Sequence, residues 1–217
     1  MIVATYLTDS HKQLYEEFFE PSATKNGWEI YKVEGPQVGC GHFGEPDWPE
    51  MMRRKARAMY DAICTYPNEI ILYADCDIYF ARDFNCKKLL GDNLLAAQVS
   101  DRREMCAGLM IINCTQEIKR MYRKIYRSKR FYQPGNLMSD QDALNHFVKK
   151  DKIPRKLIPR HLFWCPAIVK RWERWQEVDS IEQIQPIPKT ILAAHANWCR
   201  GLELKKEILN YVKQCIN

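Results

Sequence analysis

The stretch that decides the fold is Ile70-Ile71-Leu72-Tyr73-Ala74-Asp75-Cys76-Asp77-Ile78-Tyr79-Phe80, an apolar run carrying two aspartates one residue apart. Such a run is typical of a strand that is buried on both faces of a sheet. Carboxylates cannot follow it into a core unless a cation compensates their charge. Because carboxylate oxygens suit Mg²⁺ or Mn²⁺, the stretch predicts a divalent metal site at the carboxyl edge of an α/β sheet.

The geometry of the two aspartates depends on where this strand ends. Residues two apart in a strand point alike, so a continuous strand directs Asp75 and Asp77 to one metal ion, directly or through water. The alternative is a polar turn that ends the strand, because Asp is a common turn residue. We favour the continuous strand, since a turn does not require the apolar residues 78–80 directly after it.

The composition indicates one domain. The chain has 217 residues, of which 46% are hydrophobic, enough for one substantial core and short for two. No run has the apolar length of a membrane span. Residues 1–9 are too short for a secretory signal, and a charged residue, Asp9, comes too early, so we expect a cytoplasmic protein. The nine cysteines form no Cys-x-x-Cys pair and are expected to be mostly buried free thiols.

The positive charge is concentrated in residues 119–130, where seven basic residues occur without one acid. Apolar residues at helical spacing predict an amphipathic helix over 116–130 whose outer face carries this charge. That face is either merely solvated or a dock for an anionic partner, such as a membrane surface or a phosphate-bearing acceptor. Nucleic acid is disfavoured, because Tyr122 and Tyr126 are the only stacking platforms in the run.

Strand and helix patterns alternate along the chain, which predicts a mostly parallel sheet with helices on both faces. Residues 150–189 resist assignment, and residues 35–48 are rich in Gly and Pro and irregular. The predicted strands are 2–8, 28–33, 70–80, 94–99, 109–113 and 190–194. The predicted helices are 9–19, ended by Pro21, then 49–63, 116–128, 140–149 and 202–215.

Polar side chains near the expected sheet edge are further candidates for the site. On helix 49–63, Arg53 and Lys55 flank an apolar stripe. The basic residues 53–57 either merely solvate the helix or include a phosphate ligand, and in the second case Lys55 is favoured. His195 ends a second apolar run; alone it is more often structural. The assignment of His195 as a ligand is better supported because two suitable residues follow it. Gly201 permits close backbone approach, and Lys205 supplies a point charge for phosphate.

The segment Ser139-Asp140-Gln141-Asp142 opens a helix. Helix capping explains Ser139 and Asp140, since a serine caps and acids suit the positive helix end. Capping does not ask for Asp142 as well, so we interpret Asp142 as a carboxylate that contacts a sugar hydroxyl or acts as a general base.

The chain resembles the GT-A fold glycosyltransferases, the nucleotide-diphospho-sugar transferases, of a small soluble microbial or viral type. Four matches carry the resemblance, and they occur in order over most of the chain: Asp75-Cys76-Asp77 as the D-x-D motif, the strand Cys106–Asn113, Asp140-Gln141-Asp142-Ala143-Leu144-Asn145, and His195 with Gly201 and Lys205. The chain shows no membrane anchor or stem, unlike many members, which argues against a secretory-pathway role.

The resemblance implies a single GT-A domain in which residues 1–115 bind the nucleotide sugar and residues 116–217 form the acceptor side and a closing helix. It implies that Mn²⁺ or Mg²⁺ is held by Asp75, Asp77 and His195 against the donor diphosphate. The implied donor-binding residues are Thr5, Tyr6, Thr8, Lys55, Asp75, Cys76, Ala107, Gly108, Gln141, Gly201 and Lys205. Trp164 and Trp198 can offer an apolar face to a pyranose, although core packing explains them equally well.

The implied reaction moves a sugar from a nucleotide-diphosphate sugar, a UDP-sugar being favoured, to an acceptor hydroxyl of a glycan or glycoconjugate. The metal offsets charge on the leaving diphosphate. If the anomeric centre inverts, a carboxylate must deprotonate the acceptor, and Asp142 is favoured, with Asp140 the second catalytic candidate. If it is retained, Asp142 positions the sugar. Sequence does not choose between these courses.

Three other functions compete with this interpretation. A haloacid-dehalogenase-type phosphatase wants Thr or Val two residues beyond the second aspartate, where this chain has Tyr79. A sugar nucleotidyltransferase wants a glycine-rich loop near the first strand, and residues 2–10 contain no glycine. A catalytically silent carbohydrate-binding or scaffold module with the same fold has no need of clustered metal ligands.

Overall fold

A computed structural model of the protein describes residues 1–37, 46–133, 138–170 and 174–216. Strands and helices alternate along most of these residues. The strands are β1 (Ile2–Leu7), β2 (Glu29–Glu34), β3 (Ile70–Ala74), β4 (Ile78–Phe80), β5 (Leu95–Val99), β6 (Met105–Asn113), β7 (Arg155–Ile158), β8 (Phe163–Trp164), β9 (Ile168–Val169), β10 (Trp175–Gln176) and β11 (Ala193–His195). The helices are α1 (Lys12–Leu14), α2 (Glu20–Lys25), α3 (Trp48–Thr65), α4 (Cys86–Leu90), α5 (Gln116–Arg127), α6 (Asp140–Lys150) and α7 (Leu202–Ile216).

The central sheet has six strands in the order β2-β1-β3-β6-β5-β7. Five of them run in one direction, and β6 runs antiparallel to its neighbours β3 and β5. The mostly parallel sheet predicted from the alternating pattern is therefore confirmed. A second sheet of three strands, β4-β11-β8, begins directly after β3, because only residues 75–77 separate β3 from β4.

Apolar side chains cover both faces of the central sheet. On one face, α3, α5 and α6 pack together, with Met59, Met121 and Phe147 in one buried cluster. On the other face lie α2, α4 and part of the three-stranded sheet, with Phe19 and Phe80 in contact at 5.3 Å between ring centroids. Side chains from both 1–115 and 116–217 thus contribute to each of these two clusters.

Two predicted element boundaries are wrong. The first helix does not end at Pro21, because a π-helical turn over Tyr15–Phe19 leads into α2, which continues to Lys25. Proline lacks an amide donor, and the hydrogen-bond pattern is already shifted in a π turn, so the helix accommodates Pro21 there. The strand predicted at 190–194 is instead β11, which starts at Ala193 and includes His195.

The strand predicted over 70–80 is divided into β3 and β4, and the remaining predicted strands and helices are present with ends shifted by a few residues. β6 starts at Met105, earlier than the predicted 109, and residues 150–189 contain the short strands β7 to β10. Of the irregular segment predicted at 35–48, residues 38–45 lie outside the described part of the chain. Within the described ranges, eight cysteines are free and six of these are buried, as expected; Cys40 lies outside those ranges.

The amphipathic helix predicted around residues 116–130 is confirmed as α5. Its apolar stripe, including Ile118 and Met121, is fully buried, and Lys124 Nζ lies 2.7 Å from Asp151 Oδ2 at the end of α6. Residues 116–152 contain 10 basic and 4 acidic residues, a net charge of +6 that equals the net charge of the whole chain. We call the exposed cations of this surface the basic face: Arg120, Arg123, Lys124, Arg127, Lys129, Arg130, Lys149, Lys150 and Lys152.

None of the helices in the described ranges is long and apolar enough to cross a bilayer.

Candidate active site

Three predicted metal ligands meet where β3 leaves the central sheet. Ligand atoms of Asp75, Asp77 and His195 all lie within 4.8 Å of one another, and Asp77 and His195 are buried. The predicted continuous strand is wrong, because β3 ends at Ala74 and a turn at 76–77 follows. The apolar Ile78, which argued against a turn, pairs instead with His195 across β4 and β11, and this pairing brings Asp77 beside the imidazole.

Gly108 on β6 leaves the space into which two of these side chains fit. A Cβ atom at position 108 would lie 2.4 Å from His195 Cε1 and 2.5 Å from Asp75 Oδ2. Any larger residue would displace the imidazole or the carboxylate. The site therefore needs glycine here for close approach of side chains, as a ligand-binding cradle does.

Three carboxylates and two ammonium groups surround this point. Lys55 Nζ lies 2.9 Å from Asp75 Oδ2 and 3.1 Å from Asp140 Oδ2, and Lys205 Nζ donates to Asp77 Oδ2 at 2.5 Å. When His195 is charged, three cations balance the three carboxylates. Two carboxylates and one imidazole form a donor set that suits a divalent ion such as Mn²⁺ or Mg²⁺, and such an ion would take the place of a proton on His195.

Burial and charge act against each other on the titratable groups of the cluster. Burial disfavours the charged imidazole of His195, but the negative charge of Asp77 outweighs it and raises the pKa of His195 to about 10. Burial would raise the pKa of Asp77, yet the nearby Lys205 ammonium and His195 hold it well below its usual range. Burial raises the pKa of Asp140, although Lys55 opposes the shift.

The sequence pattern of the nucleotide-diphospho-sugar transferase family matches residues 20–209 of the chain. The chain belongs to this family. No curated protein sequence matches it significantly. The match to the family pattern confirms the resemblance based on the four motifs and the prediction of a glycosyltransferase.

Solved glycosyltransferases share the fold of this transferase at low sequence identity. A glycosyltransferase involved in glycosylation of the major capsid of PBCV-1 matches with a TM-score of 0.65 and 11% identity over 96% of this chain and 98% of its own. The galactosyltransferase LgtC, solved with donor and acceptor sugar analogues, matches with a TM-score of 0.54 and 13% identity over 97% of this chain and 96% of its own. GlyE of Streptococcus pneumoniae matches with a TM-score of 0.55 and 16% identity over 99% of this chain and 64% of its own.

The capping argument for the transferase's residues 139–142 was wrong. Ser139 Oγ accepts from the Asp142 amide, and Asp142 Oδ2 accepts from the Ser139 amide at 2.6 Å, so these two residues form the capping box of α6. Capping therefore explains Asp142. Asp140, assigned to capping from the sequence, is buried and ion-paired with Lys55. This places Asp140, rather than Asp142, in the charge cluster around the predicted metal ligands.

The residues predicted for the nucleoside pocket do not all face the same side. Thr5 is buried with its Oγ1 3.4 Å from Cys76 Sγ, whereas Tyr6 lines a groove of about 280 Å³ beside Arg54 on α3. Neighbouring residues of a strand point to opposite faces, so Thr5 and Tyr6 cannot both line one pocket with their side chains. Thr8 is buried with its hydroxyl 3.2 Å from Ser10 Oγ.

Other predicted donor contacts are placed unequally. The side chain of Ala107, predicted to face the donor sugar, is packed in the core on the side of α3. Trp164 is 1% exposed and offers no free apolar face to a pyranose. Trp198 is half-buried and lies 5.6 Å from Trp175 between ring centroids. Gln141 donates to Ser100 Oγ at 3.5 Å. Gly201, exposed with φ of +82°, directly precedes α7, which carries Lys205.

Three residues of the cluster were missed from the sequence. Tyr73 donates its hydroxyl to Asp75 Oδ1 at 3.2 Å, and Gln98 Oε1 lies 2.9 Å from His195 Nδ1. His11 lies near the Lys205 ammonium. Burial and, to a smaller extent, the positive charge of Lys205 lower the pKa of His11. A polar Gln98 within the apolar run 94–99 was the available signal, because a buried amide in a strand needs partners.

Proposed function

We propose that this transferase moves a sugar from a nucleotide-diphosphate sugar, a UDP-sugar being favoured, to a hydroxyl of a glycan or glycoconjugate, and that it requires Mn²⁺ or Mg²⁺. The observation that carries the proposal is the cluster of Asp75, Asp77 and His195 against Gly108. Its place at the carboxyl end of β3 is where open α/β sheets bind ligands.

Metal binding by these three residues would supply positive charge to the leaving diphosphate. The chain's own cations complement this role. Lys205 reaches the cluster from α7 and Lys55 from α3, so their ammonium groups flank the proposed metal position. Both side chains are held by carboxylates and are therefore preorganised to receive a diphosphate, which lowers the reorganisation required on binding.

Asp140 and Asp142 remain the proposed catalytic carboxylates, on different grounds. Asp140 is linked through Lys55 to Asp75, and this link supports a role for Asp140 in contacting the transferred sugar. The capping contacts of Asp142 are made by its Oδ2 atom, and its other carboxylate oxygen, Oδ1, takes no part in them. That oxygen is the candidate for accepting the acceptor proton if the anomeric centre inverts.

The basic face supports a peripheral contact with an anionic lipid surface, from which a lipid-linked or membrane-bound acceptor would be reached. Its cations lie on α5, at the end of α6 and just after each of these helices, while the aromatic Tyr122 and Tyr126 of α5 are buried. The surface thus offers charge without stacking platforms, which suits lipid headgroups better than single-stranded nucleic acid. A cytoplasmic location remains the prediction made from sequence.

The test is a thermal-shift and calorimetric screen of the purified protein against UDP-, GDP-, ADP- and CDP-sugars, each with Mn²⁺, with Mg²⁺ and with chelator. At a ligand concentration of 100 Kd, binding adds about 2.7 kcal/mol and raises Tm by roughly 5–10 °C for a chain of this size. We expect one nucleotide class to stabilise the protein only with metal.

The variant Asp77→Asn should abolish this stabilisation, and Asp92→Asn, at an exposed aspartate just beyond α4, is the matched control that should preserve it. Stabilisation that survives chelator and Asp77→Asn would contradict metal dependence. Absence of stabilisation by every nucleotide sugar would instead favour the silent carbohydrate-binding module.

A further inference from the structure

Gln98 is a fully buried amide that joins the two sheets at the site. It lies on β5 of the central sheet and is 0% exposed. Its Nε2 donates to the carbonyl oxygens of Phe163 and Trp164 on β8, at 3.1 Å each, and its Oε1 lies 2.9 Å from His195 Nδ1 on β11. Every polar atom of the side chain therefore has a partner.

These contacts fix which way the amide points. A peptide carbonyl can only accept a hydrogen bond, so the two carbonyls of β8 require the NH₂ group of Gln98 on their side. The opposite orientation would place Oε1 against two carbonyl oxygens in a buried site, where unpaired acceptors are costly. The oxygen of Gln98 consequently faces His195.

An acceptor facing Nδ1 fixes the proton on the imidazole. Nδ1 must carry the hydrogen and donate it, and in the neutral ring the lone pair is then on Nε2. Nε2 is the nitrogen turned towards Asp77, 3.2 Å from its Oδ1. The other neighbour of Nδ1, Cys106 Sγ, is farther away at 3.8 Å, and sulfur is a weak acceptor.

We propose that Gln98 is a positioning residue, which holds His195 with Nδ1 protonated and Nε2 presented as a metal ligand. The inference rests on the metal site of the proposed function and extends it to a fully buried residue outside the proposed ligand set. A histidine that ligates a metal through one nitrogen commonly donates from the other, and loss of the partner typically weakens metal affinity 10–100-fold.

Gln98→Met tests this role, because methionine approximates the length of glutamine without its acceptor or donor. We expect calorimetry to give a Kd for Mn²⁺ raised about 10–100-fold, with the metal-free fold retained by circular dichroism. Gln13→Met, the same substitution at an exposed glutamine, is the matched control and should bind Mn²⁺ as the parent protein does.

The double variant distinguishes positioning from a general structural effect. If Gln98 acts through His195, then Gln98→Met should cause no further loss of Mn²⁺ affinity in a His195→Ala background. An equal loss in both backgrounds, or unchanged affinity in Gln98→Met, would overturn the inference. Failure of the parent protein to bind Mn²⁺ or Mg²⁺ would refute the proposed metal-dependent function instead.

A measurement on the parent protein avoids dependence on a variant that does not fold. With ¹⁵N-labelled histidine and diamagnetic Mg²⁺ bound, NMR should show the hydrogen of His195 on Nδ1 and none on Nε2, the resonance being assigned by its loss in His195→Ala. A hydrogen on Nε2, or an unprotonated Nδ1, would exclude the arrangement.

Discussion

The substitution Gly108→Ala should damage the metal site by a calculable displacement. The new Cβ would lie 2.4 Å from His195 Cε1 and 2.5 Å from Asp75 Oδ2, whereas carbon atoms in contact are about 3.5–4.0 Å apart. The imidazole or the carboxylate must therefore move by about 1 Å, several times the roughly 0.2 Å tolerance of a metal–ligand distance. Overpacking of this kind costs about 1–3 kcal/mol of stability.

Isothermal titration with Mn²⁺ measures the effect at a temperature where circular dichroism shows Gly108→Ala to be folded. We expect the Mn²⁺ affinity to fall by at least about tenfold, comparable to the loss of a supporting contact. Gly27→Ala is the control for a general loss of stability, because its Cβ would meet nothing within 4 Å but its φ of +70° strains an alanine. Parent-like Mn²⁺ affinity in folded Gly108→Ala would refute the reasoning.

Three further results are expected. Asp142→Ala should lower the free energy of unfolding by about 1 kcal/mol in urea titrations, through loss of its capping contacts, and leave donor binding intact. If Asp142 is the general base of an inverting reaction, the same variant should also lower kcat about 10²–10⁴-fold, and an unchanged kcat would exclude that role. Asp77 raises the pKa of His195 to about 10 despite burial, so the charged pair stabilises the metal-free protein fully below the unfolded pKa of about 6.5. This contribution is lost as the pH rises through the pKa of the folded state. The Tm of the metal-free protein should therefore fall as the pH rises from about 6.5 to about 10, and it should fall less in His195→Gln. Replacing the exposed Arg120, Arg123 and Arg127 by glutamine should weaken binding to anionic vesicles by about 1 kcal/mol per residue removed, as measured by sedimentation, whereas equal binding of the parent protein to neutral vesicles would contradict an electrostatic contact.

Sequence patterns predicted the elements whose signal is local. The apolar run before Asp75 predicted β3, and the helical spacing of Ile118 and its neighbours predicted α5, because burial of one face imposes a period on the sequence. The end of β3 was not predictable in this way. Residues Ile78–Phe80 are apolar because β4 belongs to a second sheet, and periodicity alone does not say which sheet an apolar run joins.

The candidate site was predictable as a set of residues but not as a set of contacts. Asp75, Asp77 and His195 were selected by residue type and position, and the structure brings them together. The exchange of roles between Asp140 and Asp142 depended on the direction of each side chain at the start of α6, where both acids suit the helix dipole equally well. Long-range partners such as Lys55 fix these directions, and they are not encoded near the residues concerned.

The turn at residues 76–77 places the three predicted ligands on two different sheets. Asp75 follows the last residue of β3 in the six-stranded sheet, while Asp77 and His195 are attached to β4 and β11 of the three-stranded one. An ion held by all three would therefore be a further non-covalent crosslink between the two sheets, in addition to the contacts of Gln98. Hydrogen exchange should reveal this as slower exchange of β4 and β11 amides upon metal addition, so that the smaller sheet gains rigidity from the same ion that would engage the donor.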